Sequence, residues 1–322
     1  MSEPFNRGQG WNWNPENWPF VIASSFPDST YAILGNLNSI PYILRDESGN
    51  FITLFGGLET FSEVGDEFHW LSPDGVLTKF NNLSHPTRPG LFKGWVSPGG
   101  TTLSIEEDSE NLNVTREYSD GTDTVTESFY YDFEMIGDVL SVVQVLLRRK
   151  INSDPWVAVS KVDYDYYGES EDFGNWGDLK TVDRSEWVSG AWQAIDTRYY
   201  RSYKPGETNG APHGIKFVFG PQAFENLRVA TSNDPFHASD GVALLYADNY
   251  YKYDESVRVI EEQVNGGSRT TLMSYEENPN SPHSSFNFWV RKTTETRPDD
   301  SLVINFMNRI GQEMLRIETP SG

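Results

Sequence analysis

Asp163, Asp165, Glu169, Glu171 and Asp172 crowd into ten positions, with Asp178 shortly beyond them. Ca²⁺ takes roughly six to eight oxygen ligands, so carboxylates at alternate positions around the Gly168 turn are a candidate calcium set. Asp163 and Asp165 also stand two apart on a strand-like run, where the simpler role is a solvated outer face. Neither EF-hand spacing nor a nonapeptide Gly/Asp repeat accompanies them. A second chemistry needs fewer residues. Glycoside cleavage uses two carboxylates about 5–10 Å apart, which need not be close in sequence. Among 47 acidic residues the sequence does not select a pair. Trp11, Trp13, Trp176 and Trp192, on segments that read as loops, are the candidate sugar-stacking rings of this alternative. The five histidines, His69, His85, His213, His237 and His283, are scattered and form no metal-binding pair. There is no Gly-x-Ser-x-Gly elbow and no phosphate-binding glycine loop. No catalytic residue is assigned.

The elements that must position these side chains read as β-strands. Asp74-Gly75 lies between Phe68–Leu71 and Val76–Phe80, and Asp120-Gly121 between Val114–Tyr118 and Thr124–Phe129; Asp-Gly flanked by alternating residues predicts a hairpin. The run 257–264, then Asn265-Gly266-Gly267, then 269–275, predicts another. Val139–Arg149 is apolar on both faces, as a centrally buried strand is. The exception to β is Gly220-Pro221 followed by Phe224 and Leu227, which predicts one short helix near 221–228. Asp240–Tyr253 reads equally as helix, through its alanines and leucines, or as strand, through its tyrosines. A boundary between an N-terminal region (1–127, with a Trp-rich leader) and a second region (128–322) is placed near residue 127.

Composition narrows the partners. Aromatics make up 14% of the chain and hydrophobic residues only 37%, which suits a thin core built from rings. A net charge of −22 argues against nucleic acid and anionic membrane, both of which need cationic patches. It fits acidic outer faces that keep sheets soluble, and it fits a basic cargo. The chain has no Cys, hence no disulfide. No apolar run is long enough for a membrane-spanning helix, and the N-terminus lacks the pattern of a signal peptide.

One sequence feature recurs. Tyr131-Asp132 precedes Gly137, Tyr164-Asp165 precedes Gly177, and Tyr253-Asp254 precedes Arg258 and the Gly266-Gly267 turn. A looser relative, lacking the Tyr, runs from Asp46 to Phe51. Tyrosine favours strands, Asp ends them by bonding its own backbone, and glycine supplies the turn. Such units stack to bury a shared core. This pattern resembles the RHS/YD-repeat family of bacterial repeat proteins, most clearly over residues 128–318, although Val257 stands where the usual pattern has Gly. The resemblance implies a mainly β fold: an antiparallel, curved or spiralling YD-repeat sheet. It implies a non-catalytic segment for shielding, display or adhesion within a larger secreted or surface assembly, located outside the cell or on its surface; a cytoplasmic location stays open. Family members that form shells carry an Asp-Pro autoprotease region, but Asp154-Pro155 and Asp234-Pro235 lack that context. Expected partners are neighbouring repeats or identical chains through sheet edges, a basic cargo, or a glycan. Leu302–Met307 and Gly311–Ile317 are read as the last two strands, the final one either folding back as a cap or pairing with another chain.

Overall fold

Glycine and aspartate punctuate the chain as their chemistry requires. Gly75 and Gly121 take positive φ values of 83° and 68° in the two Asp-Gly turns, a region open to glycine at no steric cost. A computed structural model describes residues 19–23, 31–35, 38–45, 51–53, 58–86, 89–107, 111–280, 287–309 and 311–321. The strands are β1 (Phe20–Ala23), β2 (Tyr31–Gly35), β3 (Asn38–Arg45), β4 (Phe51–Thr53), β5 (Thr60–Val64), β6 (Glu67–Leu71), β7 (Leu77–Asn81), β8 (Phe92–Val96), β9 (Thr102–Glu107), β10 (Asn111–Asp120) and β11 (Asp123–Ile136). They continue as β12 (Val139–Ile151), β13 (Val157–Tyr166), β14 (Leu179–Val188), β15 (Ala191–Ser202), β16 (Ile215–Phe219), β17 (Asn249–Tyr253), β18 (Val259–Val264), β19 (Arg269–Glu277), β20 (Arg291–Thr296), β21 (Leu302–Met307) and β22 (Glu313–Thr319).

Each strand pairs antiparallel with its neighbours in sequence, so the chain is one long meander in a single open sheet. The first strands curl. Phe20 bridges Leu91, and the Val21 amide donates to the Gly90 carbonyl at 2.7 Å. A Cβ on Gly90 would lie 1.9 Å from the Val21 carbonyl oxygen, so only glycine permits this approach. Inside the curl Phe51, Phe61, Phe68, Phe80 and Phe92 pack with Val21. The ring-built core expected from composition is therefore present.

Two helices rather than one interrupt the sheet: α1 (Pro221–Ala230) and α2 (Asp240–Tyr246), joined through a 3-10 turn at Pro235–His237. Pro221 sits at the start of α1, and Phe224 and Leu227 bury against the sheet, as the sequence predicts. The segment that reads both ways is divided. Asp240–Tyr246, with Ala243 fully buried, forms α2 and is capped at Ala247, and Tyr250, Tyr251 and Tyr253 lie on β17. Burial of Ala243 and Ala247 in a shared core with Tyr199, Phe217, Phe219 and Leu227 decides the matter. A second correction concerns β12. Only Ser141 and Val142 are buried there, whereas most of the strand is half-covered. The helices cover β15 and β16 elsewhere, so apolar residues on both faces of β12 did not signal a central layer. Residue 127 lies within β11.

Candidate functional site

The densest buried chemistry lies where the helices meet the sheet. Arg201 stands in the Tyr199-Tyr200-Arg201-Ser202 run that ends β15, and its side chain is fully buried. Its Nε donates to the Tyr199 hydroxyl at 2.9 Å, Nη1 to Asp240 Oδ1 at 3.0 Å, and Nη2 to the Pro235 carbonyl at 3.2 Å. The guanidinium lies 3.8 Å from the Phe173 ring centroid. Lys216, from β16, reaches the other oxygen of Asp240 at 2.6 Å and also binds Glu207. Burial pulls the Lys216 ammonium down, but the Asp240 and Glu207 carboxylates more than reverse this and hold it above its ordinary value. Arg201, Phe173, Lys216, Asp240 and Glu207, together with Asp172, Ser202 and Lys204, line a cleft of about 260 Å³. Nearby, the almost fully buried Asp178 bonds His213 Nδ1 at 2.8 Å and the Asn175 backbone and side chain, each at 2.8 Å. Burial also drives the Tyr167 hydroxyl, which donates to the Tyr200 carbonyl at 2.7 Å, far above its usual range. Asp240, Glu207 and Asp178 are spent on cations, His213 and loop amides. The network can anchor the helical layer to the sheet, and Arg201 is its centre.

On the opposite face of β13–β15 a groove of about 350 Å³ is lined by Val162, Tyr164, Leu179, Val182 and Tyr200 together with Arg184, Asp196 and Arg198. Arg184 pairs with Asp196 at 2.8 Å.

The recurrent Tyr-Asp pairs occupy related places that the sequence did not reveal. Asp does not generally end the strand. Tyr131-Asp132 lies inside β11, and Tyr164-Asp165 stands one residue before the end of β13; Tyr253-Asp254 alone follows the expected pattern, with Tyr253 closing β17. The shared feature is a break in register: pairing shifts between Asp132 and Phe133, between Asp165 and Tyr166, and between Lys252 and Tyr253. Each pair thus faces a bulge on the neighbouring strand, where Val143, Lys180 and Ile260 in turn are skipped in the pairing; a bulge bends the strand that carries it and increases the local twist. Bulges occur elsewhere too, for example between Leu147 and Arg148. Successive residues face opposite sides of a strand, so Tyr131 and Tyr164 lie on the groove side and their Asp neighbours on the other. Burial first, and then proximity to Tyr164, pushes the Tyr131 hydroxyl up to about 12.

Gly137 takes φ 64° at the β11–β12 turn, and a Cβ there would lie 2.9 Å from the Trp176 ring. Gly177, at φ 81°, donates its amide to the Tyr167 carbonyl at 3.0 Å. Asp254 accepts from Arg258 Nε at 2.8 Å and from the amides of Ser256 and Arg258, both at 2.9 Å, and the Arg258 guanidinium covers the Tyr275 ring. Gly266, at φ 66°, sits against the end of α2, where a Cβ would meet the Leu245 carbonyl oxygen at 2.5 Å. Gly267 completes that turn at φ 81°.

The calcium candidates are not brought together. Asp163 is held by Lys161 at 2.8 Å and by Gln144 at 2.7 Å. Glu171 binds Lys180 and the Gly168 amide, and Lys180 also approaches Asp165. Asp172 lines the helix-side cleft, and Glu169 is exposed. Among the described residues no group of three or more His, Asp or Glu side chains is placed to hold a metal ion. Of the tryptophans, Trp11 and Trp13 lie outside the described residues. Trp176 is 49% exposed and packs on the Gly137 turn, while Trp192 meets Trp187 edge to face at 5.1 Å on the β14–β15 hairpin. Neither belongs to the groove.

Sequence reading missed Arg201, Lys216, Asp240 and Glu207. Its one available signal was a cation embedded in the aromatic run Tyr199–Tyr203, since an arginine surrounded by rings is commonly buried and paired. The chain matches no known family model and no curated protein.

Proposed function

We propose that this chain is a non-catalytic β scaffold of the YD-repeat type, serving to shield, display or adhere as part of a larger secreted or surface assembly. The observation that carries this reading is the unbroken pairing of sequence neighbours, with a bulge beside each Tyr-Asp pair. Such a sheet grows by adding strands and coils by its bulges. The buried charges support the same reading, because Arg201 and Lys216 of the sheet fasten Asp240 of α2 and the Pro235 turn. The test is retention of beads coated with the folded chain on cells or extracellular material, beside glycan-array and reducing-sugar assays. Retention that needs the folded sheet and ignores competing sugars supports the scaffold. Hydrolysis of any glycan by the pure chain overturns it.

A second reading, carbohydrate binding, is favoured by the groove lined by Tyr164 and Tyr200 together with Arg184 and Arg198. The groove residues include one carboxylate, Asp196, already paired with Arg184, so this geometry suits binding rather than two-carboxylate cleavage. Glycan-array signal that Tyr200→Ala abolishes would establish it.

A further inference from the structure

Among the described residues β22 pairs with β21 alone. All seven of its residues are exposed, including Met314 (42%), Leu315 (52%) and Ile317 (40%). An exposed strand edge offers a row of backbone donors and acceptors to another strand. Proteins usually guard such an edge with Lys, Pro or a bulge. β22 carries Arg316 and Glu318 but no Lys and no Pro, and its one bulge, which leaves Met314 out of the pairing, lies at its start before Leu315–Thr319.

Its side chains fit a copy of themselves. When two identical antiparallel strands meet at one edge to continue a sheet, the two-fold axis is perpendicular to the sheet. Directly opposed residues then share a face. Centring the axis on Ile317 sets Ile317 against Ile317 of the second copy, Arg316 against Glu318, Glu318 against Arg316, and Leu315 against Thr319. Centring it on Arg316 opposes two arginines, and centring it on Glu318 opposes two glutamates, both unfavourable. The Ile317 register therefore combines reciprocal opposite charges on one face with apolar contacts on the other. It also prolongs a stripe already built within the chain, since Ile304 pairs with Ile317 and Phe306 with Leu315. In the free chain Arg316 and Glu318 pair with each other at 2.7 Å, so both already point to the face on which they would meet their counterparts.

We propose that β22 is a homotypic docking edge through which two copies of this chain join their sheets antiparallel, in the register centred on Ile317. The inference concerns this edge alone and holds whichever ligand the rest of the sheet meets.

Sedimentation velocity over a concentration series, at physiological ionic strength, tests it with the full chain and two variants, Arg316→Glu and Glu318→Arg. The expected result is a monomer–dimer equilibrium for the parent chain. Each variant alone should associate about tenfold or more weakly, because two opposed pairs become like-charged. An equimolar mixture of the two variants should regain the parent's association, since the acidic edge of one then faces the basic edge of the other. Circular dichroism melts that match the parent's confirm that each variant folds. A parent chain that stays monomeric at the highest concentration overturns the proposal. So does association of either single variant as tight as the parent's, or a mixture that associates no better than its components.

Discussion

Replacing Arg201 tests whether the helical layer is held by its buried ion pair. The guanidinium makes three hydrogen bonds from a fully buried position, to Tyr199, Asp240 and Pro235. Arg201→Ala takes one donor from the Tyr199 hydroxyl, which keeps the Tyr167 hydroxyl at 3.3 Å, and one from the Pro235 carbonyl, which keeps the Ala238 amide at 3.4 Å, so the two losses together cost about 1 kcal/mol. It also removes one of two cations on Asp240. Breaking a buried pair from one side typically costs ~3–5 kcal/mol; because Asp240 is 35% exposed and keeps Lys216, the lower part of that range applies. Losing the stack on Phe173 leaves a void beside it. The expected total is therefore about 4 kcal/mol for Arg201→Ala. Arg201→Lys keeps a charge near Asp240 but cannot reproduce the three-way fork, so about half that loss is expected. Urea unfolding followed by tryptophan fluorescence gives the magnitudes, and hydrogen exchange over residues 221–246 shows whether the loss is felt in the helices. Arg201→Ala within about 1 kcal/mol of the parent, or unchanged exchange in α1 and α2, would refute the anchoring role.

Three further outcomes follow from single positions. Glu127 on β11 is almost fully buried between Arg116 of β10 and Arg149 of β12. Burial pushes its carboxyl up, but bonds from Arg149 and Arg116 more than offset that and hold it below its ordinary 4.5. Since the folded value is depressed, its stabilisation is complete above pH 4.5 and is lost as pH falls through the folded value. Glu127→Gln should cost about 2 kcal/mol at neutral pH, discounted because both arginines are half exposed, and the gap to the parent should close in acid unfolding titrations. Val257, β-branched and held at φ 60°, is strained. Val257→Gly should stabilise by about 0.5–1 kcal/mol, and a lowered melting temperature would count against that strain. Gly174 lies flat against Tyr167, where a Cβ would sit 2.2 Å from a buried ring that is held by its own hydroxyl bond, so Gly174→Ala should cost about 2 kcal/mol in urea unfolding.

Local chemistry alone was enough for much of this molecule. The Asp-Gly turns, the Pro221 helix start, the Asn265-Gly266-Gly267 hairpin and the last two strands are set by residues adjacent in sequence, and they are where their chemistry put them. A ring-rich core likewise follows from composition. The division of Asp240–Tyr253 into helix and strand was not local, because it turns on the burial of Ala243 and Ala247 against rings from β15 and β16. The site was less legible still. Acids that look like a calcium cluster along the chain are taken up instead by Lys161, Lys180 and the Gly168 amide. Arg201 finds Asp240 across thirty-nine positions, a meeting no spacing rule encodes. Even the Tyr-Asp recurrence, plain in the sequence, changed its meaning on folding. Strand termination depends on the residue and its neighbours, whereas a bulge depends on the register of the strand alongside, which only the assembled sheet supplies.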